Sequence, residues 1–392
     1  MSEAVEHILF RELPLDAVHR RHGASMSEQD GWLLPGSYAG LEAEYEAVRG
    51  GGAGLMDLSA RGRIGVSGTE AVMFLNGLIT NDVKALAPGR WMHAAFPNTQ
   101  GRLLAMVRVA NRGDSFLIDT EGQTHAQVLK LLERFTLAGD FRVEDLSGQT
   151  LMLSVQGARA AEAVAALLGQ NSVPAEPFGV AQTERHDEPL TVIRATHTGE
   201  DGCDLLVSAA RAEELWEALV GECGAVPCGY EAQEVLRIEA GRPRFAIDVD
   251  ETNVVLEAGQ DEAVSFTKGC YIGQEIIARI HWRGHVAKRL AGLIFDGEGN
   301  EDDALILQRA REAKIKSSDG REIGRVTSIT RSPRLRRTIA LGIVKYDYLT
   351  PGTAVSVMLG EDDERAAQVA ELPFVRGGWP GVEKASEGRG ES

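Results

Sequence analysis

Cysteine is scarce: Cys203, Cys223, Cys228 and Cys270 are the four in 392 residues, and they show no CxxC spacing and no companion histidine pattern. A disulfide framework or a zinc site is therefore not expected, and so few thiols in a long chain suit a reducing cytosol. Basic charge is also in deficit. Lys and Arg number 41 against 58 Asp and Glu, a net charge of -17, which argues against nonspecific binding to nucleic acid. No apolar run approaches the length of a membrane span. The acidic start, MSEAVEHILFRELPLD, lacks the basic region and long apolar run of a secretory signal. A cytoplasmic location away from membranes is the expectation. Nucleotide-phosphate loops (GxxxxGK with Ser or Thr), a GxGxxG after a strand and a GxSxG elbow are all missing.

What remains is a globular composition, 43% hydrophobic and 25% charged, in a chain long enough for two or three domains. Residues 41–50 read as a helix stopped by Gly50-Gly51-Gly52, and 55–59 and 61–68 as short strands. Thr69 is expected to cap an apolar helix over 70–79. Strands follow at 91–97, 102–110 and 114–120, then a helix over 123–137. Strand and helix are expected to alternate through 150–220. Tyr230 to Gly241 reads as a helix with Val235, Leu236 and Ile238 inward, and Arg237 and Glu239 on other faces. From Arg289 the segments RLAGLIF, EIGRVTSIT, TIALGIV and AVSVML, separated by turn residues, suggest a small antiparallel barrel or sandwich. The linker 296–304 is acidic, and the tail 377–392 is expected to be disordered.

Four stretches offer chemistry. The densest is Lys268-Gly269-Cys270-Tyr271-Ile272-Gly273-Gln274-Glu275, a cysteine between a lysine and a helix start, where a cation and free backbone N–H groups favour thiolate. In Thr198-Gly199-Glu200-Asp201-Gly202-Cys203-Asp204, three acids lie in a glycine turn. Cys203, Leu205 and Val207 form the apolar face of the next strand, and an acid aimed into a pocket there would suit the N–H groups of a heterocycle. A polar turn with solvated carboxylates is the competing reading. Arg237 and Glu239 read first as a structural ion-pair set. The basic run Arg279, His281, Arg283, His285, Lys288 and Arg289 suits an anion or a solvated strand edge equally. His281 and His285 are not expected to hold a metal.

These residues carry a resemblance. From about Gly51 to Val375, through GLMDLSARGRIGVSG, FLNGLITNDV, THTGEDGCDLLV, LRIEAG, GRVTSITRSPRLRRTIALGIV and ELPFV, the chain resembles the folate-binding superfamily of the glycine cleavage T-protein (aminomethyltransferase). Within it, KGCYIGQE makes it similar to the YgfZ branch. The resemblance implies an α+β fold: a three-part ring around a central folate channel, with two α/β portions in residues 1–285 and a C-terminal antiparallel β-barrel in 286–376. It implies tetrahydrofolate, or a one-carbon derivative, as cofactor. Its expected holders are Asp204, Glu200, His197, Gln233, Arg237, Glu239, Tyr271, Gln274, Glu275, Arg279 and Arg283. Cys270, activated by Lys268, would face the channel as the reactive thiol. The implied role is support of iron–sulfur enzyme assembly or repair, with iron–sulfur client or assembly proteins as partners and a link to tRNA modification.

The alternative is a folate-dependent aminomethyltransferase or methyltransferase of the T-protein type. Against it stands Ala105-Met106, where T-proteins carry an Asp-Asp pair that assists transfer. Gln233 stands for a T-protein arginine, and His197 for the tyrosine of YTGEDG.

Overall fold

The structure is a computed structural model, which describes residues 10–297, 313–360 and 363–380. In chain order the first elements are β1 (Arg11–Glu12), α1 (Asp16–Arg21), β2 (Ser25–Gln29), β3 (Trp32–Ser37), α2 (Leu41–Arg49), β4 (Gly54–Asp57), β5 (Gly62–Ser67) and α3 (Ala71–Leu78). Then come β6 (Arg90–Pro97), β7 (Leu103–Asn111), β8 (Phe116–Thr120), α4 (Gly122–Glu133), β9 (Arg142–Asp145), β10 (Thr150–Gln156) and α5 (Ala160–Leu168). The third stretch holds β11 (Val180–Arg185), β12 (Glu188–Arg194), β13 (Gly202–Ser208), α6 (Ala212–Gly221), β14 (Val226–Pro227), α7 (Tyr230–Glu239) and α8 (Gln274–Arg283). The last six strands are β15 (Lys288–Phe295), β16 (Lys314–Ser317), β17 (Glu322–Ser332), β18 (Arg337–Lys345), β19 (Ala354–Met358) and β20 (Glu364–Ala370).

They form a small sheet, β1-β3-β2, two larger sheets, β6-β7-β8-β5-β9 and β11-β12-β13-β10-β4-β14, and a closed antiparallel barrel, β15-β18-β17-β16-β19-β20. The α+β architecture with a C-terminal barrel is as expected. Two local expectations fail. Residues 150–220 do not alternate strand and helix, because the β11–β12 hairpin puts three consecutive strands between α5 and α6. Thr69 does not cap α3: its hydroxyl donates to Asp140 and Glu70 holds the cap position.

Period-two alternation decides what the two larger sheets turn toward each other. On β7, Ala105, Val107 and Val109 enter the core beneath α3 and α4, as do Ala94 and Phe96 of β6 and Ile118 of β8. Their alternates therefore point to the opposite face: His93 and Ala95 on β6, Met106, Arg108 and Ala110 on β7, Leu117 and Asp119 on β8. In the second sheet, Cys203, Leu205 and Val207 of β13 pack toward α5 and α6 around Trp216. Asp204 and Leu206 then face the first sheet. Trp91, Ala110, Leu117, Ile193 and Leu206 form the apolar layer between the sheets.

Helix α7 lies where all parts meet. Its Leu236 and Val235 pack on α2 and β4, while Ile238 joins the cluster with Phe245, Tyr271 and the barrel residues Ile339 and Leu341. The chain can enter α7 only through glycine. A Cβ on Gly229 would lie 2.2 Å from the Gly36 carbonyl oxygen.

Candidate functional site

The inner faces of the two sheets, β3, α7 and the loop after it enclose a cavity. Its floor is a charged network joining the sheets. Arg108 donates from Nε to Asp119 at 2.6 Å and from Nη1 to Asp204 at 2.7 Å. Asp204 also meets His197 Nε2 at 3.0 Å. Arg61 closes the far side on Asp119 at 2.8 Å and on Glu121 at 2.5 Å. Burial would raise the Asp204 carboxyl, but His197 and Arg108 outweigh it and hold the group well below the usual carboxylate range. The Asp204 side chain has no exposed surface. It is an anchor that aims His197 and Arg108, and these two line the cavity in its place.

The other residues chosen from the sequence separate into groups. Gln233 lines the cavity, and its side chain makes no hydrogen bond among the described residues. Arg237 also lines it but is saturated, by Glu234 at 2.7 Å, Asp248 at 2.9 Å and the Ser328 hydroxyl at 2.6 Å. Glu239 is a buried strut. It accepts from Tyr45, Arg49 and Ser332, tying α7 to α2 and to the barrel. Arg237 and Glu239 are thus both interior, each paired with other charged groups, which agrees with their first reading as structural ion-pair residues. Glu200 pairs with Arg49 at 2.8 Å and accepts from the Gly378 N–H, away from the cavity lining.

The 268–283 segment is a correction. Among the described residues the Lys268 ammonium makes no hydrogen bond to Cys270. Buried, it donates to the carbonyls of Ile79 at 2.8 Å and Asn81 at 2.7 Å, and sits 4.8 Å from the centroid of the Tyr271 ring. Cys270 is exposed and does not line the cavity. Tyr271 is buried in the interdomain core, and burial pushes its hydroxyl up to about 12. Gln274 opens α8, whose exposed Glu275 and Arg279 pair with each other at 2.9 Å. Arg283, also exposed, ends that helix. None of these seven, from Lys268 to Arg283, borders the cavity. His281 stacks on Phe266 and His285 on Tyr346, each at 3.6 Å between ring centroids, and the basic run is divided among the end of α8, the loop after it and the start of β15.

Sequence reasoning missed His93, Arg108 and Arg242, which all line the cavity. The first two carried a usable signal, a histidine and an arginine out of phase with the apolar positions of strands correctly placed. Arg242 carried none, because it follows a helix. The Ala105-Met106 replacement is divided by the same alternation: Ala105 is fully buried in the core, and Met106 borders the cavity.

Residues 15–268 match the GCVT N-terminal domain, and residues 288–376 the glycine cleavage T-protein C-terminal barrel domain. An aminomethyltransferase of Rubrobacter xylanophilus is 32% identical over 376 residues, covering 95% of this chain and 96% of the relative. One of Geobacillus kaustophilus is 31% identical, over 94% and 99%. The solved aminomethyltransferase T of the Bartonella henselae glycine cleavage system superposes with a TM-score of 0.85 over 95% of this chain and 99% of that one, at 23% identity, a likeness of fold. These relatives overturn the expected role in iron–sulfur enzyme support: the curated proteins matched over nearly the full chain are aminomethyltransferases. With more than half its length matched by the N-terminal domain and most of the rest by the barrel, the chain belongs to the glycine cleavage T-protein family.

Proposed function

We propose that the chain is a folate-dependent one-carbon transferase of the T-protein type, moving an aminomethyl or methyl group to tetrahydrofolate in the central cavity. The observation that carries this reading is the near full-length identity to aminomethyltransferases, above 30% in the Rubrobacter and Geobacillus proteins. Proteins of this family use tetrahydrofolate as substrate or cofactor.

The donor set fits such a molecule. His93 and Gln233 border the cavity without hydrogen bonds from their side chains to other described residues, while Trp32, Leu58 and Phe245 add apolar wall. Polar groups at the edges of an apolar slot suit a flat heterocycle that carries carboxylates. When bound, the folate supplies the nitrogen that accepts the one-carbon unit. His197 and Arg108, held by Asp204, orient it at the floor, and Gln233 offers both a donor and an acceptor from α7.

Met106 leaves no carboxylate at the position where T-proteins carry their transfer-assisting acid. The titratable side chain of the same sheet face that is free of hydrogen bonds among the described residues is His93. Burial lowers it well below the ordinary histidine value, so it is neutral at pH 7 and offers one ring nitrogen as donor and the other as acceptor of a hydrogen bond.

The test is turnover. Purified chain is incubated with tetrahydrofolate and either an aminomethylated carrier protein or an N-methylated small donor, and the one-carbon folate is followed by mass spectrometry. Formation of methylene-tetrahydrofolate with release of ammonia from the aminomethylated carrier, or of methyl-tetrahydrofolate with release of the demethylated amine from the N-methylated donor, supports the reading. Binding of tetrahydrofolate without transfer from either donor class sinks it.

A further inference from the structure

Five arginines border the cavity, and four are neutralised by carboxylates. Arg61 has Asp119 and Glu121, Arg108 has Asp119 and Asp204, Arg237 has Glu234 and Asp248, and Arg244 has Glu234 and Asp30. Arg242 is the exception. Among the described residues its guanidinium makes no hydrogen bond and no ion pair within 4.0 Å.

The backbone puts it there. Helix α7 ends at Glu239, Gly241 turns with φ +66°, and the Arg242 N–H returns to the Arg237 carbonyl at 3.0 Å. A Cβ on Gly241 would press on Leu372 at 2.9 Å, so this exit from the helix depends on glycine.

The cavity's own carboxylates are not available to it. Asp30, Glu121 and Glu234 serve other arginines, and Asp57 accepts from His19 at 2.9 Å and from the Ser59 N–H at 2.8 Å. Burial, together with the charge of Arg108, lowers Arg242 to about 10 against the field of Glu262, so it remains a cation at neutral pH. A half-buried cation with no carboxylate at ion-pair distance is expensive unless an anion joins it. The His93 imidazole lines the same cavity. That ring contacts Trp91 edge-on at 4.9 Å and makes no hydrogen bond among the described residues.

We propose that Arg242, with the neighbouring His93, forms a carboxylate-binding subsite of the central cavity, and that the carboxylate belongs to a small one-carbon donor such as an N-methylated amino acid. The subsite itself stands on the cavity alone; the donor assignment rests on the transferase reading. A charged pair to Arg242 and a neutral hydrogen bond to His93 would fix the donor's acid end and leave its methylated nitrogen free to point into the cavity.

Isothermal titration calorimetry on the full chain tests this with two ligand pairs, N-methylglycine against its amide and tetrahydrofolate against tetrahydropteroate, which lacks the glutamate. Wild type is expected to bind N-methylglycine about ten-fold or more tighter than the amide, the worth of a hydrogen bond to a charged group. Arg242→Gln abolishes that preference, Arg242→Lys keeps part of it, and tetrahydrofolate affinity is unchanged in both. If Arg242→Gln instead erases only the advantage of tetrahydrofolate over tetrahydropteroate, the carboxylate is the folate's own and the donor assignment is overturned. If neither preference depends on Arg242, the subsite does not exist. Should wild type fail to bind tetrahydrofolate yet keep an Arg242-dependent preference for carboxylate, the transferase reading falls and the subsite stands.

Discussion

The cavity floor and the 268–283 segment make an instructive pair. The segment is the denser motif in sequence, with a lysine, a cysteine, two glycines and an acid within eight residues. In the fold its conspicuous groups are spent on packing. Lys268 ties the segment to two carbonyls after α3, Tyr271 fills the interdomain core, and Gly273 lets the chain pass close to the Asn98 carbonyl. The floor is scattered over the sequence, at positions 61, 108, 119, 121, 197 and 204, yet it is continuous in space. Local density of reactive residue types reports a tight turn as readily as a site. Convergence of charges from different strands is the better sign of one.

Substitutions in the two regions should therefore separate. The largest effect is expected at the floor. Asp204→Ala leaves Arg108 and His197 facing a buried void and should cost about 3–5 kcal/mol in urea unfolding at pH 7. Because the folded carboxyl lies below its unfolded value of 3.8, its contribution is fully present above that value and is lost as pH falls through the folded value. The gap between wild type and variant should accordingly shrink below about pH 4. A gap independent of pH would mean that charge is not what Asp204 contributes.

Within the segment, Gly273→Ala comes next. Its φ is +78°, and an added Cβ would stand 2.3 Å from the Asn98 carbonyl oxygen. Left-handed strain and the clash together predict a loss of about 3 kcal/mol, read as a fall in Tm. Lys268→Met removes the donor from two carbonyls and should cost about 2 kcal/mol while leaving tetrahydrofolate affinity within error, measured by calorimetry. A selective loss of folate binding would return Lys268 to the site. Cys270→Ser should be the mildest, within about 0.5 kcal/mol in stability and unchanged in one-carbon turnover, since the thiol is exposed and away from the cavity lining. A large loss of turnover there would erase the contrast between the regions.

Much of the architecture was legible because it depends on local pattern. The period-two runs of 91–97 and 102–110, the helix at 230–241 and the turn-separated strands after Arg289 carry their own hydrophobic phase, and β6, β7, α7 and the barrel lie where that phase puts them. The same phase implied that Asp204 lies opposite Cys203, Leu205 and Val207. It could not say whether the carboxylate would meet a ligand or an arginine from another sheet. The 150–220 region misled because β11 is a polar strand at the sheet edge, where the sequence need not declare a buried face, so the hairpin it forms with β12 was not declared.

What the sequence alone determined, then, is the list of elements and the face each residue takes, since backbone periodicity is a local property. It also contained the family, through motifs spread along the whole chain. Only the tertiary structure decided which charges cancel. Four of the cavity's arginines are answered by acids, mostly from other elements, the fifth is not, and Cys270 lies outside the cavity despite its motif. Those outcomes depend on the packing of two sheets, a helix end and a barrel, and no window of the sequence contains them.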